Sequence, residues 1–429
     1  MPTDLPRKII FINRYFYPDH SATSQLLSDL AFDLASRGQE IHVVTGCQLY
    51  GDPHAALSAE ELIHGAHVHR VPTSRFGRTN LWGRMVDYLT FYLGATWRLL
   101  RLVCSGDVVV VKTDPPMMSV PAAWVVKLKR GVLINWVQDL FPEVATEMEV
   151  WGVRFVARLL RRLRNQSLQG SYATVVLGEI MAQRIAEEGV PSDRIVIIDN
   201  WADGELIQPI HRSENPLVRE WGLEGKFVLG YSGNMGLAHE FETIIDVAEK
   251  LKFMRNIAFL FIGEGVARRW LVSEVARRKL TNVHFHPYQS ADRLRWSLSI
   301  PDVHFVSLQR TLEGLIVPSK FYGIAAAGRP VIHIGDPEGE IARILNREHC
   351  GWCFPVGAVE DLATCISRLS MREQEVLAAG QSARRAFDRK YTRLHALSTW
   401  RFVLAAASRS TSLPSNSKTL EQPVVVGRK

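Results

Sequence analysis

The stretch Glu313–Ile332 reads EGLIVPSKFYGIAAAGRPVI and combines a polar turn, a helix and the start of a strand. Pro318 suits the first helical turn or the position before it, because the N–H that proline lacks has no intrahelical partner there. Gly328 ends the small, apolar helix before the strand begins. The turn offers helix N–H groups and the charge of Lys320 to an anion. We therefore interpret the stretch as a phosphate or diphosphate site in which Glu313 binds hydroxyl groups; the alternative is an ordinary strand–helix turn with surface charges.

The composition is that of an ordinary globular protein with a basic surplus. The chain has 429 residues, 47% of them hydrophobic and 22% charged, which allows about two or three domains. A net charge of +7 suits nucleic acid, acidic lipid headgroups or sugar nucleotides as partners. The five cysteines indicate a reducing compartment without a disulfide framework. The first apolar run is too short for a signal peptide, so we expect a cytoplasmic location.

The first half of the chain alternates predicted strands and helices. Ile9–Asn13 is a compact apolar run, Ser24–Arg37 has helical periodicity, and Glu40–Thr45 is a second strand. A strand–helix–strand unit of this kind implies a parallel sheet. Further strands are predicted at Val108–Lys112, Val132–Val137, Thr174–Leu177 and Ile195–Ile198.

The second half repeats this layout, which indicates two doubly wound α/β domains. The linker is expected within Asn200–Gly225, so that the first domain spans residues 1–204 and the second residues 205–385. A long amphipathic helix follows over residues 386–407, and the composition of residues 408–429 predicts a disordered tail. The predicted strands are Phe227–Tyr231, Ala258–Ile262, Val283–Phe285, Val303–Val306 and Val331–Ile334. The predicted helices before the tail region are Glu240–Lys252, Ala267–Lys279 and the one after Pro318.

Polar residues of the first domain follow two predicted strands, where α/β sheets bind ligands. Asp139 in the segment QDLFPE could accept a proton or stabilise positive charge on a sugar ring; the alternative is a helix N-cap. The loop after the first strand offers Asp19, His20 and Ser21 as acceptor contacts. It lacks the glycines of a dinucleotide fingerprint, which argues against a nicotinamide or flavin cofactor.

Glycine turns follow the first two predicted strands of the second domain. Gly233, Asn234 and Gly236 lie in YSGNMG, where the backbone could approach phosphate oxygens, and Gly263 lies in the similar turn FIGEG. The segment after the third strand carries Pro287 and Tyr288, which could line a pocket for a nucleotide base.

Two segments of the first domain predict contact with a membrane surface. Residues 151–165, WGVRFVARLLRRLRN, form a basic amphipathic pattern of the kind that lies on anionic lipid. Leu81–Val103 is apolar and aromatic, but charged residues interrupt it too often for a bilayer span. The alternative is two surface helices, one packed on the sheet and one solvated. The residues assigned to membrane contact are Trp151, Arg154, Arg158, Arg161 and Arg162.

No metal site is expected. His349, Cys350 and Cys353 have the spacing of half a zinc site, but no second ligand pair stands at a suitable distance along the chain. Structural zinc takes four protein ligands, so these three residues are insufficient.

Taken together, these motifs resemble the family 4 retaining glycosyltransferases of the GT-B fold. The resemblance covers roughly Ile9–Val403 and is nearest to the WbuB-like subgroup, which acts in bacterial surface polysaccharide synthesis and is often linked to N-acetylfucosamine. It implies two Rossmann-like domains that face a cleft, with residues 386–407 returning as a helix to the first domain. The motifs that carry it are the loop after strand one, RGQEIHVVT, QDLFPE, YSGNMG, FIGEG and the stretch from Glu313.

The resemblance implies roles for individual residues. Glu313 matches the first glutamate of the E-x7-E pattern and would contact donor-sugar hydroxyls. The turn from Gly314 through Pro318 and Ser319 to Lys320 would hold the diphosphate, while Pro287 and Tyr288 would hold the base. The implied catalytic residues are Asp139, Glu313 and Lys320.

The chain departs from the family pattern at several positions. Gly323 replaces the second, ribose-binding glutamate, and the spacing from Glu313 is longer. Asn234 and His239 stand at the positions where the family pattern has a phosphate-binding arginine and lysine. Lys320 is therefore the candidate for the missing positive charge.

The expected activity is retaining transfer of a sugar, such as an N-acetylated hexosamine or deoxyhexosamine, from a nucleotide-diphosphate sugar. UDP is the expected carrier, and the acceptor is a lipid-linked sugar or a glycan at the inner face of the cell membrane. No cofactor and no nucleic acid partner are expected. The alternatives are a non-hydrolysing sugar-nucleotide 2-epimerase, which shares the fold, and a non-catalytic sugar-nucleotide or lipid-binding scaffold.

Overall fold

The computed structural model describes residues 8–52, 54–76, 81–150 and 152–412. These residues form two compact units. Unit 1 consists of the chain up to Asp199 and from Ala396 onward, and unit 2 is Asn200–His395. The predicted boundary, after residue 204, lies slightly further along the chain.

Unit 1 is built on a mainly parallel sheet. Its strands are β1 Lys8–Ile12, β2 Glu40–Gly46, β3 Glu60–Ile63, β4 Ala66–Val71, β5 Val108–Lys112, β6 Val132–Trp136, β7 Ala173–Val176 and β8 Ile195–Ile197. Its helices are α1 Ala22–Ser36, α2 Leu81–Leu102, α3 Ser119–Lys129, α4 Glu143–Glu147, α5 Val153–Gly170 and α6 Glu179–Glu187. The eight strands run in the order β3-β4-β2-β1-β5-β6-β7-β8. All five residues of β5 and of β6 are buried, as expected for strands covered on both faces.

The β3–β4 hairpin was not predicted from the sequence. Its strands carry several charged and imidazole side chains, so the apolar alternation that marks a half-buried strand is weak. The turn between the strands is the feature that indicates a hairpin, because His64 and Gly65 have φ of +46° and +83°. Two central residues with positive φ are typical of the tightest antiparallel hairpins.

Unit 2 repeats the architecture with a parallel sheet of six strands. The strands are β9 Phe227–Ser232, β10 Ile257–Ile262, β11 Val283–His286, β12 Val303–Ser307, β13 Val331–Ile334 and β14 Gly351–Phe354, in the order β11-β10-β9-β12-β13-β14. The helices are α7 Pro216–Glu220, α8 Glu242–Lys250, α9 Arg268–Arg277, α10 Ala291–Leu298, α11 Lys320–Ala326, α12 Glu340–Glu348, α13 Val359–Leu369 and α14 Glu373–Ala386. The predicted strands and helices are present. The elements that were not predicted are β14, the short α7 within the predicted linker, α10, α12 and α13.

The last helix returns to unit 1, which confirms the predicted architecture. After α14 and a π-helical segment, Phe387–Tyr391, helix α15 spans Arg393–Ser412. Trp400 packs against Trp136 of β6 with ring centres 4.6 Å apart, and Arg401 forms an ion pair with Asp33 of α1 at 2.7 Å. Residues 408–412 are helical, so the start of the predicted tail is corrected; residues 413–429 lie outside the described residues.

Candidate functional site

Glycines allow the loops after β9 and β10 to touch. Gly233, Gly263 and Gly265 have φ of +129°, +131° and +149°, which residues with a Cβ rarely adopt. A Cβ on Gly263 would lie 2.3 Å from the carbonyl oxygen of Gly233. A Cβ on Gly265 would lie 2.4 Å from the carbonyl oxygen of Met235. The predicted tight turns are therefore present beside the exposed Asn234, while their role toward phosphate stays a prediction.

Lys320, the first residue of α11, lies against the loop after β9. Its Nζ is 2.8 Å from Nε2 of His239 and 5.1 Å from the ring centre of Tyr231. Nδ1 of His239 is 2.6 Å from the backbone carbonyl oxygen of Ser307, which can only accept a hydrogen bond. Nδ1 therefore carries the proton, and Nε2 accepts a hydrogen bond from the Lys320 ammonium group. Burial, with the nearby lysine charge, lowers the pKa of His239 to about 3, so the ring is neutral.

Lys320 is a cation without an anionic partner. Within the described ranges, no carboxylate oxygen lies within ion-pair distance of its Nζ. Burial disfavours the charged form and lowers the pKa of Lys320 to about 7. Pro318 and Ser319 precede it in the turn, with Ser319 exposed at the cap position. An anion bound here would give the ammonium group the counter-charge that the fold does not supply.

Glu313 contacts the start of a neighbouring helix. Its Oε1 accepts a hydrogen bond of 2.8 Å from the backbone N–H of Glu340, and the side chain is buried. Gly339 lies so close that an added Cβ would be 2.5 Å from Oε2. Burial raises the pKa of this carboxyl group. Glu313 therefore caps α12, a role that the sequence did not suggest, and its contact with a donor sugar stays a prediction.

The segment after β11 lies beside the glycine loops. An added Cβ on Gly263 would be 3.3 Å from the ring of Tyr288, and both Tyr288 and Pro287 are exposed. At Gly323 an added Cβ would meet Leu298 of α10 at 3.6 Å. The structure therefore brings Tyr288 to the loop cluster, whereas a side chain at position 323 would point toward α10.

In unit 1, Asp139 and Lys112 line one recess at the carboxyl ends of β6 and β5. Lys112 is 1% exposed; its Nζ donates a hydrogen bond of 2.9 Å to the carbonyl oxygen of Thr23 and lies 3.7 Å from the ring centre of Trp136. Asp139 is exposed by surface area. Desolvation by the protein around it, followed by the charge of Asp114, nevertheless raises its pKa to about 6, while Lys112 opposes this. The aspartate therefore has a proton affinity suited to chemistry near neutral pH.

The QDLFPE segment is held from two sides. The backbone N–H of Asp139 donates to Oγ1 of Thr113 at 3.3 Å. Helix α4 begins at Glu143 with Pro142 at the cap position, so Asp139 is not the N-cap that the alternative proposed. Glu143 accepts two hydrogen bonds, of 2.9 and 3.0 Å, from the buried guanidinium group of Arg164 on α5.

The three predicted acceptor residues of the loop after β1 differ in how far they are exposed. Asp19 is buried, and its two carboxylate oxygens accept hydrogen bonds from the backbone N–H groups of Ser21 and Tyr50. Asp19 therefore stabilises the loop through these two hydrogen bonds. His20 is exposed and Ser21 is partly exposed, at the start of α1.

Four arginines of α5 are exposed, and their contact with a membrane stays a prediction. Arg154, Arg158, Arg161 and Arg162 are exposed, and Arg161 pairs with Glu143 at 2.9 Å. Trp151, the fifth predicted membrane residue, lies outside the described residues.

Large apolar side chains are exposed on α2, α3 and α5, which pack side by side. Helix α2 buries Phe91, Ala95 and Leu99 in the core and turns its other side outward. We call the exposed set the three-helix face. It consists of Trp82, Met85, Leu89, Leu93, Trp97, Trp124, Leu128, Phe155, Val156 and Leu159. In the described part of the chain, no helix has the length and apolarity needed to cross a membrane.

Sequence reasoning missed Lys112 and the role of His239. Lys112 ends the strand VVVVK, and a lysine at the carboxyl end of an otherwise apolar buried strand is a signal that could have identified it. The contact between His239 and Lys320 joins residues 81 positions apart, and no sequence pattern indicates it.

Comparisons with known sequences identify the family of the chain. Residues 23–201 match the model of the glycosyl transferase 4-like domain, and residues 215–386 match that of the glycosyl transferases group 1. WbjE of Pseudomonas aeruginosa, named as a probable glycosyltransferase, is 30% identical over 300 residues, which cover 67% of this chain and 71% of WbjE. WcaI of Escherichia coli K12, a glycosyl transferase named for colanic acid biosynthesis, is 21% identical over 395 residues, which cover 89% of this chain and 97% of WcaI.

Solved structures share the fold at low sequence identity. HepE of Anabaena in complex with UDP matches with a TM-score of 0.69 and 13% identity, over 93% of this chain and 100% of HepE. Sucrose-phosphate synthase of Thermosynechococcus elongatus matches with a TM-score of 0.73 and 14% identity, over 93% of this chain and 100% of the synthase. WaaG, a glycosyltransferase of lipopolysaccharide biosynthesis, has a TM-score of 0.67 and 13% identity, over 92% of this chain and 99% of WaaG. The chain is a glycosyltransferase of family 4 with the GT-B fold.

Proposed function

We propose that the protein transfers a sugar, with retention of anomeric configuration, from a UDP-linked sugar to a lipid-linked or glycan acceptor in surface polysaccharide synthesis. An N-acetylated hexosamine or deoxyhexosamine is the proposed sugar. The relatives named for colanic acid and lipopolysaccharide biosynthesis support the polysaccharide assignment, and HepE, solved with UDP, supports the nucleotide.

The single observation that carries the proposal is the ammonium group of Lys320 beside the glycine loops, which has no carboxylate partner among the described residues. A nucleoside diphosphate leaving group gains negative charge as the bond to the sugar breaks, so a fixed cation at the diphosphate lowers the barrier. Gly233 and Gly263 let the backbone come close to phosphate oxygens there, and Tyr288 is the proposed contact for the base. Glu313 is the proposed contact for donor-sugar hydroxyls.

Asp139 is the carboxylate of unit 1 to which we assign a role in the reaction. We assign to Asp139 the stabilisation of positive charge on the sugar ring in the transition state, a role that requires its ionised form. The acceptor hydroxyl attacks the anomeric carbon from the side of the departing diphosphate. A bond from the hydroxyl oxygen to the anomeric carbon forms, the bond to the phosphate oxygen breaks, and the hydroxyl proton passes to that oxygen. His20 and Ser21 are proposed acceptor contacts.

The three-helix face and the arginines of α5 support a position on the inner surface of the cell membrane. Apolar side chains of this size gain free energy by entering the headgroup boundary, and arginines bind anionic lipid headgroups. Exposed apolar surface of this extent has no evident role in a monomer in water. The face would hold unit 1 near a lipid-linked acceptor.

Nucleotide binding tests the donor site. Calorimetry with UDP, GDP and ADP should show binding of UDP, and Lys320→Met should weaken it about 10- to 100-fold by removing a charge-assisted hydrogen bond. Lys250→Met is the matched control, because Lys250 lies on the surface of unit 2 and pairs with Glu360. Equal affinities in Lys320→Met and wild type would refute this site. Release of an epimerised sugar nucleotide in the absence of any acceptor would favour the 2-epimerase instead.

Vesicle sedimentation tests the membrane assignment. Phe155→Ser, at a side chain 89% exposed on α5, should weaken binding to vesicles containing phosphatidylglycerol. Phe253→Ser is the control, because Phe253 is 84% exposed and belongs to unit 2, whereas the three-helix face belongs to unit 1. The same loss in both variants, or no binding by the wild type, would contradict the assignment.

A further inference from the structure

We propose that His239 positions the ammonium group of Lys320 in the donor site, and that binding of a nucleotide sugar takes up a proton at Lys320. This inference rests on the proposed function and deepens it, because it specifies how the donor site obtains its charge. Where the family pattern has an arginine and a lysine, this chain has Asn234 and His239, so Lys320 supplies the charge of the donor site.

The geometry assigns one hydrogen-bond role to each atom. The carbonyl oxygen of Ser307 fixes the proton on Nδ1 of His239, since a carbonyl cannot donate. Nε2 is therefore an acceptor and takes one of the three Lys320 protons at 2.8 Å. The other two N–H groups of Lys320 remain available to phosphate oxygens. The lysine stem also passes close to Gly233, where an added Cβ would be 2.8 Å from Cε.

The groups around Lys320 do not titrate near neutral pH. Strand β9 contributes Tyr231, whose pKa is raised well above its usual value by burial. The loop after β9 contributes His239, which stays neutral because its pKa is lowered to about 3. Strand β12 contributes the carbonyl oxygen of Ser307, which does not titrate. Lys320, with a pKa lowered to about 7 by burial, is therefore the group whose charge changes between pH 6 and pH 8.

Donor binding must then be linked to proton uptake. Lys320 loses the ammonium form in the free protein as the pH rises through about 7, and a bound diphosphate favours that form. Binding should therefore take up a fraction of a proton that increases from pH 6 to pH 8. Above pH 7 the affinity should therefore fall, by up to about tenfold per pH unit.

Calorimetry in buffers with different ionisation enthalpies measures this uptake. UDP-N-acetylglucosamine and UDP-glucose are suitable probes, because both of their phosphates stay ionised from pH 6 to pH 8 and do not contribute protons. The wild type should show a binding enthalpy that varies with the buffer at pH 7 and 8 but not at pH 6. Lys320→Arg should bind without uptake, because arginine stays charged. Lys250→Met, the surface control, should match the wild type.

Two variants of His239 separate positioning from mere packing. Asn can keep the N–H to Ser307 but offers no acceptor to Lys320, whereas Gln can place its oxygen near the position of Nε2. His239→Asn should weaken binding about tenfold, and His239→Gln should stay within about threefold of wild type. Equal losses in both variants would overturn the positioning role.

The outcomes distinguish this inference from the proposed function. Binding of the sugar nucleotide with no buffer dependence at pH 8 would overturn the proton uptake and leave the donor site intact. Absence of binding to the wild type at every pH would overturn the proposed function and this inference with it.

Discussion

Replacement of Trp400 by alanine should destabilise unit 1 by about 3–5 kcal/mol. Trp400 is 0% exposed and packs on Trp136, so the substitution removes nearly a whole buried indole ring. A ring of this kind buries about 150–250 Å², which corresponds to about 4–6 kcal/mol at about 25 cal/mol per Å². The methyl group of alanine retains a small part of this free energy, and partial collapse of the cavity reduces the loss further.

Urea unfolding followed by hydrogen exchange and mass spectrometry measures this effect unit by unit. The loss should appear in peptides of unit 1, including β6, because α15 packs there from Ala396 onward. Phe402→Ala is the matched control: it lies on the same helix, is 51% exposed, and should cost less than about 1 kcal/mol. Trp400→Phe should cost less than Trp400→Ala, because phenylalanine keeps a large ring and the indole N–H has no hydrogen-bond partner among the described residues.

Two results would refute this reasoning. If Trp400→Ala and Phe402→Ala had equal effects, the indole would not be the element that attaches α15. If the loss of protection appeared in unit 2 instead, the helix would not belong to unit 1.

Three further outcomes are expected. Activity should decline as the pH falls through about 6, where Asp139 becomes protonated, and Asp139→Asn should lose activity at every pH; an unchanged acid limb in that variant would exclude the assignment. Gly263→Ala should abolish UDP binding, because its Cβ would lie 2.3 Å from the Gly233 oxygen, whereas Gly323→Ala should be tolerated; calorimetry compares them. Burial lowers the pKa of His42 and His69, so the unfolded chain binds protons at these residues before the folded protein does as the pH falls. The free energy of unfolding should therefore fall between pH 7 and 5.5, by at most about 1 kcal/mol per histidine. A urea midpoint independent of pH would contradict this.

Local patterns were sufficient to predict most of the sheets. Buried parallel strands are short apolar runs such as Val108–Lys112, and their bounds follow from where the apolar residues stop. The β3–β4 hairpin could not be predicted in this way, because its polar side chains satisfy one another across the strands. Nδ1 of His42 and Nε2 of His69 are hydrogen-bonded at 2.8 Å, and Nδ1 of His69 is also hydrogen-bonded to the carboxylate of Glu60.

The candidate site was predictable only where one residue or one turn decides the geometry. The role of the glycines at 233 and 263 was predictable, because each comes directly after a predicted strand and a sharp turn there needs a residue without Cβ. Asp19, Glu313 and Asp139 looked equivalent in sequence, as carboxylates near strand ends. Their surroundings separate them: backbone N–H groups bind the first two, while the third lies in a recess with Lys112.

The sequence by itself determined the fold class, the two α/β halves and the turn at Glu313–Lys320, because hydrophobic periodicity and glycine or proline positions act over a few residues. Only the tertiary structure decided the charge and partner of each ionisable group. Lys320 contacts His239, His239 contacts the carbonyl oxygen of Ser307, and Lys112 contacts Trp136, all between separate strands and loops. Proton affinity depends on desolvation and on neighbouring charges, and both exist only once distant parts of the chain have packed together.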